Sequence, residues 1–176
     1  MTTADDTIID FVTGQPKDNA GAEANRQAVE RLLVEEKGYD RQEIEVDAPI
    51  TLEMADGRYR STVDLIVRVH GFRYMAIKCA PGALASRERE ILAAARLLER
   101  YQIPLAVASD GRDAIVWDVV SGKILGEGLA AIPAKAQALA AFDVSAVAPL
   151  DHRRLGRQQL IFKSYDSMNV HKTRPA

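Results

Sequence analysis

The chain has 176 residues, 47% of them hydrophobic and 27% charged, with a formal net charge of −2. That length holds one domain with a proper core and is short for two, and no apolar run reaches the roughly 18 residues that span a bilayer. The opening MTTADDTIID lacks the basic and apolar regions of a signal peptide, and the single cysteine, Cys79, cannot form an internal disulfide, so the expectation is a cytoplasmic protein with no membrane partner.

The charge is unevenly spread. Residues 1–56 carry 14 acids and 5 bases, whereas residues 152–176 carry 6 bases and 1 acid. An acidic chain is not drawn strongly to DNA as a whole. Its basic tail, with Arg153, Arg154, Arg157 and Lys163, is the candidate phosphate contact, against the plainer reading of a solvated helix face.

Taken in order, residues 1–20 read as an irregular arm packed down by Ile8, Ile9, Phe11 and Val12 ahead of Gly14 and Pro16. From Gly21 to Lys37 the apolar period is helical. Ala24, Ala28, Val29, Leu32 and Leu33 share a face, Arg26, Glu30, Arg31 and Glu35 surround it, and Gly38 supplies the stop. Alternation then predicts three antiparallel strands. The first runs from Ile44 to Leu52 and turns at Ala55-Asp56-Gly57; the second starts at Tyr59 and ends at His70-Gly71; the third covers Phe72 to Cys79. In the third strand Met75, Ile77 and Cys79 face one way, and Tyr74, Ala76 and Lys78 the other.

A helix over Ser86–Tyr101 follows, with Ser86 as N-cap and Ile91, Leu92, Ala95 and Leu98 buried. Leu105–Ala108 is a short strand apolar on both sides, and Ala114–Val120 is a fifth strand with Trp117 in the core. Gly122 and Gly126 mark a loop. Residues 133–142 are helical, and a last helix after Pro149 and Asp151 sets Leu155, Ile161, Tyr165 and Met168 on one side. The expected fold class is α/β: one domain, a mixed β-sheet flanked by helices, with extra C-terminal helices. The chain divides into an arm (1–20), a core (21–126) and a helical extension (127–176).

Asp64 and Lys78 are the chemical clue. A carboxylate and an ammonium on one face of neighbouring strands cost folding energy unless paired or used. The plain reading is an ion pair that persists because losing one partner strands the other. Cys79 points to the opposite face as a core thiol with no activating base. His70, His152 and His171 have no metal-ligand spacing. There is no Gly-rich phosphate loop, so no nucleoside triphosphate is expected, and no helicase motor, so these residues are not expected to translocate on their own.

The order of elements and the segments DLIV, MAIKCAPG and LAVASDGRDAIVWDV, together with EEKGYD at 35–40, resemble the PD-(D/E)XK nuclease superfamily. Within it, residues 22–125 are most similar to the N-terminal domain of type I restriction enzyme R subunits. The resemblance implies a restriction-endonuclease-like core. It also implies a Mg²⁺-dependent endodeoxyribonuclease site in which Asp64 and the Ile77 carbonyl ligate metal and Lys78 activates water or steadies charge. Here the family's second acid, two residues before the lysine, is Ala76. A methyl group holds no metal and a lone carboxylate binds Mg²⁺ weakly. The expectation is therefore an impaired nuclease domain that binds DNA or a protein partner.

Two other readings stand beside it. In one, an acid migrated to a helix, Glu30 or else Glu88 or Glu90, restores Mg²⁺-dependent cleavage; the bland counterpart of each is an exposed helix carboxylate. In the other, the chain is a structural or homodimerising module acting through its last helix.

Overall fold

The computed structural model describes residues 6–170; His171 and the start of the arm lie outside them. Two short strands, β1 (Thr7–Ile9) and β2 (Pro16–Asp18), form an antiparallel hairpin. Helix α1 (Glu23–Arg31) runs on through a π-helical turn over Leu32–Glu36. The meander β3 (Ile44–Met54), β4 (Gly57–Val69) and β5 (Phe72–Cys79) comes next. It is followed by α2 (Glu88–Leu97), β6 (Leu105–Ser109), β7 (Ala114–Asp118) and β8 (Ile124–Glu127). Helices α3 (Lys135–Ala141) and α4 (Leu155–Val170) close the described chain.

The six strands β3 to β8 stand side by side in chain order. Every neighbouring pair is antiparallel except β5 and β6, which run parallel because α2 carries the chain back across the sheet. The result is the expected single α/β domain with a mixed sheet. One apolar layer joins α1 to the sheet through Val29, Leu33, Leu65, Ile77 and Val107. The other places Ile91 of α2 and Phe162 of α4 over Ile66, Ala76, Ala106 and Trp117. Cys79 is buried in the first layer, as its strand parity predicts.

Several local expectations need correction. The arm is a hairpin rather than irregular; of its apolar patch Val12 packs against the core while Ile9 is exposed, and polar contacts add to the docking. The N–H of Phe11 donates to Gln27 Oε1 at 2.7 Å, the N–H of Val12 to Glu30 Oε2 at 3.1 Å, and the Phe11 ring lies between the guanidiniums of Arg31 and Arg41. The buried face of α1 is accordingly Arg26, Gln27, Val29 and Glu30, with Ala24 and Ala28 exposed.

Tyr74 joins Met75 in the α1-side layer, because a bulge between Val67 and Arg68 shifts the register there. Ser86 sits inside a 3₁₀ turn over Leu84–Arg87, and its hydroxyl donates to Ala83 O instead of capping α2. The loop at Gly122–Gly126 contains β8, an exposed edge strand without an apolar alternation to announce it. In α4 the buried residues are Gln158, Phe162 and Asp166, one turn apart, while Met168 is exposed. Two of those three are polar, which hid the stripe.

The turn after β6 docks on α1. Asn25 Nδ2 donates to Asp110 O at 3.1 Å, and Gly111, at φ +87°, would put a Cβ 2.5 Å from that of Ala28. Gly111→Ala combines the left-handed penalty with this collision. It should cost about 2 kcal/mol or more and lower the melting temperature by roughly 4–8 °C in a thermal scan.

Candidate active site

The β3–β4 ladder is interrupted at one place. Val46 pairs with Leu65 and Ala48 with Val63, and between them Asp47 and Asp64 are skipped. Asp47 takes φ +52°, a conformation that a short polar side chain tolerates better than most. On its other side β4 pairs with β5 as far as Leu65 and Ile77, and one position further on Asp64 and Lys78 bring their side chains together. Lys78 Nζ is 3.7 Å from Asp64 Oδ2, and the backbone N–H of Cys79 donates to the same oxygen at 2.7 Å. Oδ1 accepts no hydrogen bond from the described residues.

A second carboxylate reaches Lys78 from α2. Glu90 Oε1 lies 3.4 Å from Nζ. The side chains of Asp64, Lys78 and Glu90 are 22%, 18% and 4% exposed, so the site opens to solvent on the Asp64–Lys78 side and is closed behind Glu90. Burial raises the pKa of Glu90 and of Asp64, and in both the Lys78 charge works the other way. Burial disfavours the Lys78 ammonium, yet Asp64 and Glu90 outweigh it and its pKa is raised. Lys78 is therefore a fixed positive charge rather than a base.

Helix α4 backs the site. Buried Asp166 accepts a hydrogen bond from Tyr59 Oη at 2.5 Å and adds to the negative surroundings of Lys78 and Glu90. Ala76 is fully buried in the apolar layer beneath α2. The helix that packs over position 76 is the one that carries Glu90.

Neither Glu30 nor Glu90 is an exposed helix carboxylate. Glu30, fully buried on the α1 side, faces Asp10 and Arg26 and touches neither Asp64 nor Lys78. Glu88 lines a separate cleft on the outer side of α2. The signal for Glu90 was legible: Ile91 to Ala95 are all apolar, so the helix is buried nearly all round and draws Glu90 in. Among the described residues no group of three or more His, Cys, Asp or Glu side chains is arranged to hold a metal. Of the basic residues, Arg154 and Arg157 line the outer cleft. Arg153 is exposed beside it in sequence, and Lys163 turns away to Asp56 at 3.2 Å.

An α/β sheet that presents a carboxylate and a lysine on adjacent central strands, with a helix acid against them, defines a candidate polar active-site domain. The family model described as type I restriction enzyme R protein N terminus matches residues 21–133, and the chain belongs to that family. No curated protein and no solved structure matches it.

Beside the site, the arm and α1 share a buried acid pair. Asp10 accepts from Thr13 N at 2.7 Å and Thr13 Oγ1 at 2.9 Å. Burial and the neighbouring Asp10 charge push Glu30 up to about 8 from an ordinary 4.5. Between those values the folded chain keeps a proton that the unfolded chain has released. This contribution to stability is complete below 4.5 and fades as pH rises through 8. The melting temperature should therefore fall by several degrees between pH 5 and 9, and Glu30→Gln should flatten that fall in thermal scans across the same range.

Proposed function

We propose that this domain is a metal-dependent nuclease of the PD-(D/E)XK type in which Glu90 replaces the missing second acid. The single observation that carries the reading is Lys78 Nζ lying 3.7 Å from Asp64 and 3.4 Å from Glu90. Mg²⁺ takes one or two carboxylates and completes its shell with water and phosphate oxygens. Asp64 and Glu90 are two such carboxylates on one lysine, and Asp64 Oδ1 has no other claim on it. With Asp166 close by, acids outnumber the lysine, which favours a cation. The residues present fit the ion.

When bound, Mg²⁺ supplies Lewis acidity toward a phosphoryl oxygen and lowers the pKa of water. The protein's own groups do the rest. The Cys79 N–H fixes the Asp64 carboxylate, and the Asp64 and Glu90 oxygens would hold the cation. The permanently charged Lys78 stabilises negative charge developing on a phosphodiester oxygen. Exposure of Asp64 and Lys78 leaves room for a strand to approach from solvent, while α2 and α4 keep water from behind the site.

The reading is tested by incubating supercoiled plasmid with the protein and Mg²⁺ or Mn²⁺. Nicking is expected. Asp64→Ala and Glu90→Gln should each reduce it by about 100-fold or more, since even groups one shell further from a metal are worth 10- to 100-fold. Glu30→Gln should leave it nearly unchanged. Salt-sensitive DNA binding without nicking by the folded wild type would instead favour an impaired, binding-only domain.

A further inference from the structure

On the outer side of α2 lies a cleft of about 490 Å³, walled by α2, the first turns of α4 and the turn between β7 and β8. Its lining includes Arg89 and Arg96 of α2, and Arg154 and Arg157 at the start of α4. Glu88 is the one carboxylate among the lining residues. A protein surface that gathers four guanidiniums around one acid pays in mutual repulsion, and a bound anion relieves it.

The four differ in what they already do. Arg96 is structural: Nε and Nη2 donate to Val119 O at 2.9 and 2.8 Å, and Nη1 reaches Gln158 Oε1 at 3.4 Å. Burial first, and the Arg154 charge second, depress its pKa. Arg154 has a loose partner in Asp151 at 3.6 Å. Arg89 makes one long contact, 3.4 Å to Tyr165 Oη, and Arg157 has no hydrogen bond or ion pair among the described residues. Two exposed guanidinium forks therefore line the cleft, Arg157 with its donors unspent and Arg89 with all but one. Planar guanidinium forks match phosphate oxygens, often in pairs. The start of α4 adds the positive end of a 16-residue helix to the same wall. The volume is that of an ordinary ligand pocket.

We infer that this cleft is a binding site for neighbouring phosphate groups, held by Arg89, Arg154 and Arg157 on a wall fixed by Arg96. The chemistry is shared by two successive phosphodiesters of a nucleic-acid strand and by the diphosphate of a free nucleotide. Arg154 and Arg157 lie beyond the residues matched by the family model, so this chain's C-terminal helix completes the site. The inference does not depend on whether Asp64 and Glu90 support cleavage.

The test uses the full chain and two probes: inorganic pyrophosphate by calorimetry, and a fluorescein-labelled 12-nucleotide single strand by anisotropy at several salt concentrations. Binding of at least one probe is expected. The Arg89→Ala/Arg157→Ala double variant should weaken it by roughly tenfold or more. For the oligonucleotide, the salt slope should shrink by about 1.4, since each lost phosphate contact is worth about 0.7 on a single strand. Arg58→Ala, at the tip of the β3–β4 hairpin, should leave binding unchanged. Pyrophosphate alone binding identifies a free phosphorylated ligand, and oligonucleotide binding with the reduced slope identifies a strand. The inference is overturned if neither probe binds, or if the double variant, with an unaltered melting temperature, binds as tightly as wild type.

Discussion

The Lys78 ammonium holds the centre of this molecule. It is mostly buried between a strand carboxylate and a helix carboxylate, and its charge offsets part of what burial costs each of them. Removing one partner from such a group leaves the other desolvated and uncompensated, a loss of about 3–5 kcal/mol where burial is complete. The lysine thereby ties the β4–β5 hairpin to α2 through charge as well as through the apolar layer around Ala76 and Ile91. The small side chain at position 76 is part of the same arrangement. It leaves the sheet face flat enough for α2 to lie close, which brings Glu90 within reach of Lys78.

Around that centre the arm hairpin and α4 are fastened in part by polar contacts. The arm hairpin reaches α1 through Asp10, Gln27 and Glu30, and Asp47 takes an ion pair from both Lys17 and Arg26. The same Asp47 interrupts the ladder opposite Asp64, so the contact that seats the arm also shapes the strand carrying the acid. At the other end α4 packs against α2 with Phe162 edge-on to Tyr59, and Asp166 takes the tyrosine hydroxyl. Buried polar groups of this kind must be nearly all satisfied to be tolerated. Here they specify where two otherwise weakly apolar segments dock.

Much of the frame was legible because its signals are local. The alternation from Ile44 to Cys79, the turn at Ala55-Asp56-Gly57 and the left-handed Gly38 each follow from backbone sterics and a period of two or 3.6. Strand parity put Asp64, Ala76 and Lys78 on a common face and Cys79 on the other. The errors fell where a polar residue fills an apolar role, as with Gln27, Glu30, Gln158 and Asp166, and where one extra residue in a bulge turned Tyr74 over. Strand β8 was missed because an exposed edge strand needs only backbone partners, which leave no pattern in its side chains.

The sequence by itself determined the α/β order, the Asp64–Lys78 pair, the absence of an acid at position 76 and the family likeness, since each is carried by residue type and short spacing. Only the tertiary structure decided which distant carboxylate meets Lys78. Glu30 and Glu90 are both buried helix acids, and their fates differ because α1 and α2 cover opposite faces of one sheet. The direction in which the chain crosses the sheet after β5 sets that choice, and no local pattern records it.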